Sequence, residues 1–148
     1  MTRDDFLAWA RAHLDAATTA RRGCAEFLPM VALRDAEGRT TIAMLALPGA
    51  AMPSAIALLV SQERAIAAAL IMDTWIATLP AGQGLGGREV RDIPGRSDAL
   101  VVAATSRDVG DCLWLVRYTE VEGELVEDEP QQVEGTQAGR LLRQVRWA

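Results

Sequence analysis

The first stretch of the chain has apolar side chains three and four positions apart, which is the spacing of one face of an α-helix. Thr2 and Asp5 have the spacing of a weak capping box, and Gly23 follows a basic pair, as is common at helix ends. The pattern predicts a helix over about residues 3–21. Its apolar positions are Phe6, Trp9 or Ala10, His13, Leu14 and Ala17.

Two apolar runs then flank the tetrapeptide DAEG, in which Gly38 suits a turn position with positive φ. We predict a β-hairpin with strands at about 27–34 and 39–47. Pro53 opens a second predicted helix, because proline is favoured in the first helical turn. The apolar stripe of that helix is Ile56, Leu59, Val60, Ile66 and Ala67.

The run LIMDTWIAT fits either an extension of this helix or a strand. Its β-branched and aromatic residues favour a strand at about 70–78. A long loop rich in glycine and proline follows at about 80–98, and its composition predicts flexibility. Two further apolar runs predict strands at 99–106 and 112–121, and the peptide ELVE is a candidate short strand.

The last part of the chain is acidic and then basic, over about residues 120–148. It ends in a predicted short amphipathic helix with Leu141, Leu142 and Val145 on one side. The elements run α-β-β-α-β-β-β-α, which predicts a single α+β domain over 1–148, with helices packed on a mostly antiparallel five-stranded sheet. This order is similar, in topology and without a shared motif, to that of the roadblock and profilin-like regulatory modules.

The composition indicates where the protein resides and which partners it can bind. The formal net charge is −5, which opposes nucleic-acid binding. Every basic residue is Arg, and Ala is abundant, as expected of a high-GC bacterial genome. The stretch 40–62 has no charge, but Pro48, Gly49 and Pro53 interrupt it, so we predict a strand, a turn and a helix rather than a membrane span. We therefore expect a cytoplasmic protein whose two cysteines are reduced.

The peptide GQGLGG places Gly82, Gly84 and Gly87 at the spacing of a dinucleotide-binding loop. That loop requires a following helix whose N-terminal amides bind phosphate, but Pro94 cuts such a helix short and the chain has no lysine for a Walker loop. We predict a mobile connector and no cofactor. Its three arginines alternate with acids, which is typical of a solvated surface, or they grip a carboxylate or phosphate on a partner. They are Arg88, Arg91 and Arg96.

Residues suited to catalysis are few. His13 is the only histidine, and its position predicts a semi-buried helix residue. One histidine and two distant cysteines make a poor zinc ligand set. Asp73 interrupts an apolar run, so it either faces water on an edge strand, pairs with an arginine such as Arg64 or Arg96, or lines a pocket beside Trp75, two residues along on the same face.

Two hypotheses follow for the function. The first is a non-enzymatic protein-interaction or regulatory module that binds a protein partner or itself, as a homodimer. The second is a small-molecule-binding domain or enzyme with a site around Asp73, Trp75 and the loop from Arg88 to Arg96. A flat sheet with an exposed apolar patch favours the first hypothesis, and a deep pocket at Asp73 favours the second.

Overall fold

The computed structural model describes residues 1–24, 26–133, 142 and 145–147. Two helices and seven strands are present in this part of the chain. The helices are α1 (Arg3–Arg22) and α2 (Met52–Gln62). The strands are β1 (Met30–Arg34), β2 (Thr40–Met44), β3 (Ala67–Ile76), β4 (Ser97–Ser106), β5 (Gly110–Val121), β6 (Glu124–Glu127) and β7 (Gln131–Val133).

The strands form one antiparallel sheet in the order β2-β1-β3-β4-β5-β6, and β7 also pairs with β5. The α+β prediction is confirmed, but the predicted count of five strands is wrong because the sheet has seven strands in the described residues alone. The peptide ELVE is β6. The sequence pattern does not predict β7, because this strand has three residues and only one apolar side chain. The predicted C-terminal helix falls mainly outside the described residues.

Helix α1 covers one face of the sheet. The capping box is present, with the Thr2 hydroxyl accepting from the Asp5 amide at 3.1 Å. Because side chains alternate along a strand, every second residue of the strands faces this helix. Small residues such as Ala69 and Ala104 allow close contact between helix and sheet, and α1 packs on β3, β4 and β5. The buried α1 residues are Phe6, Ala10, Leu14 and Ala17.

Helix α2 packs on the opposite face, against the intervening strand residues such as Val31, Leu33 and Leu70. Leu142 and Val145 join the same apolar cluster. The sheet therefore has a core on each face. None of the helices in the described ranges is long and apolar enough to cross a membrane.

The strand at LIMDTWIAT is confirmed, but it starts earlier than predicted. α2 ends at Gln62, and Arg64 adopts a left-handed conformation with φ of 50°. Ile66 and Ala67 were predicted in the helix stripe, and Ala67 instead begins β3. The alanines of this stretch favour helix locally, but β3 is the strand between β1 and β4, and burial on both faces outweighs that preference.

Candidate functional site

Asp73 lies on the α1 face of the sheet, just beyond the end of that helix. Ile71 on the same face is buried in the α1 cluster, and Asp73 is the next residue on that face. From Met72 onward β3 pairs only with β4, because the β1 register stops at Met30 opposite Ile71. The carboxylate therefore occupies the boundary between the core and the surface, with 19% of its side chain exposed.

Asp73 pairs with an arginine, which is one of the three interpretations that its sequence position allows. The arginine is Arg21, in the last turn of α1, rather than Arg64 or Arg96. Arg21 Nε donates to Asp73 Oδ2 at 2.9 Å, and the Arg21 side chain is only 12% exposed. Another nitrogen of the same guanidinium donates to the Cys24 carbonyl at 2.8 Å. Arg21 thus ties the end of α1 to β3 and to the chain that follows the helix.

Tyr118 on β5 completes this cluster. Its hydroxyl donates to Asp73 Oδ1, so each carboxylate oxygen of Asp73 accepts one hydrogen bond. The Arg21 guanidinium also lies 5.4 Å from the centre of the Tyr118 ring. Burial, followed by the hydrogen bond to Asp73, raises the pKa of the Tyr118 phenol. The hydrogen bond to Asp73 raises the pKa of Arg21, so both donors keep their protons.

A concavity of about 410 Å³ opens beside this cluster. Trp75 forms part of its wall and is 45% exposed, and the Arg96 guanidinium lies 5.4 Å from the centre of the Trp75 ring. The concavity is shallow and mixed in polarity, unlike the enclosed apolar pockets typical of small-molecule sites. Its lining residues are Arg21, Asp73, Thr74, Trp75, Asp98 and Tyr118.

The two other arginines of the loop lie elsewhere. Arg91 pairs with Glu89 at 2.6 Å, and Arg88 donates to the Leu85 carbonyl at 3.0 Å. Both are outside the lining of the Asp73 concavity. The structure therefore brings Asp73 and Trp75 together in the concavity. Arg96 contacts only the Trp75 ring of this pair, and Arg88 and Arg91 lie on the surface of the loop.

The glycine motif has turns where a dinucleotide site needs a helix. Gly82 and Gly87 have φ of 82° and 81°, and the only helical segment of the connection is the 3-10 turn at Val90–Asp92. β3 and β4 on either side of the loop are antiparallel, so they do not form the parallel βαβ unit of a dinucleotide fold. Ile93, which is only 4% exposed, anchors the loop to the body of the protein.

Two further groups that could act as a nucleophile or a base are Cys112 and His13. Burial raises the pKa of the Cys112 thiol to about 11. His13 lies edge-on to Trp9 on α1, with ring centres 4.9 Å apart, and burial lowers its pKa. Among the residues that the structure describes, no three His, Cys, Asp or Glu side chains are grouped to hold a metal ion. In the Asp73 cluster, Arg21 and Tyr118 therefore satisfy both carboxylate oxygens of Asp73 at the boundary between the core and the surface.

Sequence reasoning missed Arg21 and Tyr118. Arg21 was interpreted only as a charge that ends the helix, and Tyr118 as one position of an apolar strand. Alternation along β5 could have placed Tyr118 on the α1 face, but its meeting with Asp73 depends on the pairing of β3, β4 and β5.

No protein-family model, no curated protein and no solved structure matches this chain.

Proposed function

We propose that this chain is a non-enzymatic protein-interaction module and that its binding surface is the outer edge of β2. β2 is the first strand in the sheet order, with β1 on one side only. Two of its apolar side chains are largely exposed, Ile42 at 55% and Met44 at 63%. An apolar strand at a sheet edge is a template for a further strand.

Main-chain hydrogen bonds show which groups of β2 point outward. The Leu45 amide donates to the Pro29 carbonyl at 2.7 Å, and the Asp35 amide donates to the Arg39 carbonyl at 3.0 Å. These contacts continue the register between β1 and β2, so the odd-numbered residues of β2 bond to β1. The amides and carbonyls of the even-numbered residues point away from the sheet, and no strand of the described ranges pairs with them. They belong to Thr40, Ile42 and Met44.

The two edges of the sheet differ in how they are protected. β2 contains no charged residue and no proline. At the other edge, β6 begins and ends with Glu124 and Glu127, and Pro130 separates it from β7. Charges, proline and interrupted strands are the devices that keep sheet edges from pairing. The β2 edge lacks them, which supports its role as the interacting edge.

The helix arrangement leaves this edge accessible. α1 packs mainly on β3, β4 and β5, so it leaves β2 largely uncovered. Ile42 and Met44 lie on the α1 face, because their partners Ala32 and Met30 both contact the α1 cluster. Trp9 of α1 reaches the start of β2, where its indole nitrogen donates to the Thr40 hydroxyl at 3.2 Å.

A peptide probe tests this function. We expect a peptide with the sequence of residues 38–47 to shift the amide NMR signals of Thr40, Ile42 and Met44 in labelled protein, because it adds a strand there. The same peptide with proline in place of Ile42 is the control, since it cannot donate at the central position. Equal shifts with both peptides, or shifts only at β6, would contradict the proposal.

The concavity beside Asp73 supports a second candidate, the binding of a small cationic or aromatic molecule between Trp75 and Asp98. Both of these side chains line it, and neither belongs to the ion pair of Asp73. A fragment library screened by the indole NMR signal of Trp75 tests this candidate. Ligands that shift this signal and bind more weakly to Asp98→Asn would support it. Ligands that leave the signal of Trp75 unchanged would rule out this concavity as their site.

A further inference from the structure

We propose that the partner at the β2 edge is a second copy of this chain, and that the two β2 strands pair antiparallel about a two-fold axis at Ile42. This inference rests on the proposed function, because it uses the same edge. It adds the identity of the partner and the register of the pairing. The result is one continuous sheet that crosses the interface between the two copies.

The register follows from the direction of the outward groups. If Ile42 lies opposite Ile42 of the second copy, Thr40 of each chain lies opposite Met44 of the other. Residues directly opposite one another in an antiparallel pair exchange both hydrogen bonds at alternate positions. All outward amides and carbonyls of Thr40, Ile42 and Met44 then have partners. A shift of the register by one residue would place inward-bonded Thr41 or Ala43 opposite them and lose these bonds.

The side chains of this pairing are also complementary. Thr40, Ile42 and Met44 share the α1 face, so Ile42 meets its own copy and Met44 packs over Thr40 of the partner. The exposed area of Ile42 and Met44, at 55% and 63%, becomes buried between the copies. Removing apolar surface from water is the main favourable term in such an association.

Charge favours this edge for self-association. Two chains with a formal net charge of −5 repel one another, and the repulsion is smallest where the meeting surfaces carry no charge. The run 40–62, which forms β2 and α2, has none. The opposite edge carries Glu124 and Glu127, so two copies that paired there would bring carboxylates together.

A cysteine at the two-fold axis tests the register. In a Cys24→Ser background, we expect Ile42→Cys to form a disulfide-linked dimer with oxidised glutathione, because hydrogen-bonded pairs have Cα atoms about 5.5 Å apart. Met44→Cys alone should not cross-link, since its own copy lies about four residues, or roughly 14 Å, away. The double variant Thr40→Cys with Met44→Cys should cross-link again.

A charge at the same position tests the association itself. Ile42→Lys places two like charges opposite one another, and we expect the dimer dissociation constant, measured by sedimentation, to rise at least about tenfold. Val126→Lys on β6 is the matched control, because Val126 is also exposed, at 50%, but lies at the other edge. Its dissociation constant should equal that of the unmodified chain.

The outcomes separate this inference from the proposed function. Suppose that the protein is a monomer and forms no cross-link at position 42, but its β2 amides still respond to the strand peptide. This result would contradict the pairing with a second copy and would still support the interaction module. A monomer that also ignores the peptide would overturn both. A dimer weakened by Val126→Lys rather than Ile42→Lys would move the interface to the other edge and overturn the register.

Discussion

Asp73 is held by donors from two different elements, Arg21 of α1 and Tyr118 of β5, so its charge links the helix to two strands. We expect Asp73→Asn to lower the free energy of unfolding by about 2 kcal/mol, because it removes a charge-assisted hydrogen bond and leaves Arg21 with only the exposed carboxylate of Glu120, 3.7 Å away. Urea denaturation measures the change.

Asp98→Asn is the control for this substitution. Asp98 lines the same concavity but is exposed and takes no part in the ion pair, so its replacement should change stability by less than about 0.5 kcal/mol. Equal losses for the two variants would show that the general charge of the concavity, rather than the link from Asp73 to Arg21, stabilises the fold.

His13 makes the stability of the fold depend on pH. Burial lowers its pKa below the ordinary 6.5, so the unfolded chain binds a proton more readily than the folded one. The stability that comes from neutral His13 is complete above about pH 6.5 and decreases as the pH falls toward the folded pKa. We expect His13→Gln to remove this part of the pH dependence, as measured by thermal unfolding between pH 5 and 7. An unchanged pH profile would contradict a depressed pKa at His13.

At the scale of elements, the hairpin between β1 and β2 depends on one glycine. Gly38 has φ of 85°, and its amide donates to the Asp35 carbonyl at 3.2 Å. We expect Gly38→Ala to cost about 1 kcal/mol of stability, because a left-handed conformation is strained for alanine. Gly84→Ala in the glycine motif is the control, since Gly84 has no positive φ and open space around it. A larger loss at Gly84 would mean that the motif constrains the fold more than the hairpin does.

The sequence predicts an element correctly where its local signals agree with burial in the fold, and incorrectly where the two conflict. Helix α1 follows from its apolar spacing and its caps, and the observed Arg3–Arg22 differs little from the prediction. The predicted start of β3 is too late, because the alanines before Leu70 favour a helix locally. In the structure, burial between two strands outweighs that preference. The ion pair of Asp73 joins residues 52 positions apart, so only the pairing of the strands could select Arg21 over other arginines.

Across the whole protein, we expect local stability to be highest at the centre of the sheet and to decrease outward. β3 and β4 pair with each other over their full length, and both faces are buried at residues 67–71 of β3 and 99–104 of β4. The connection between them contains local turn hydrogen bonds, such as those donated by the Gln83 and Arg88 amides. It is anchored to the core mainly by Ile93. Opening the loop therefore breaks few contacts, whereas opening the central strands requires global unfolding.

Hydrogen exchange tests this gradient and the glycine motif together. We expect amides of residues 82–96 to exchange at least roughly 100-fold faster than those of β3 and β4. Added NAD should leave these rates unchanged, because antiparallel strands and a three-residue 3-10 turn provide no helix N-terminus for its phosphates. Ala104 and Val102 in β4 serve as internal references, since both are fully buried. Protection of Gly84 to Gly87 by NAD would make the loop a nucleotide site, and slow exchange there without ligand would make it a rigid part of the fold.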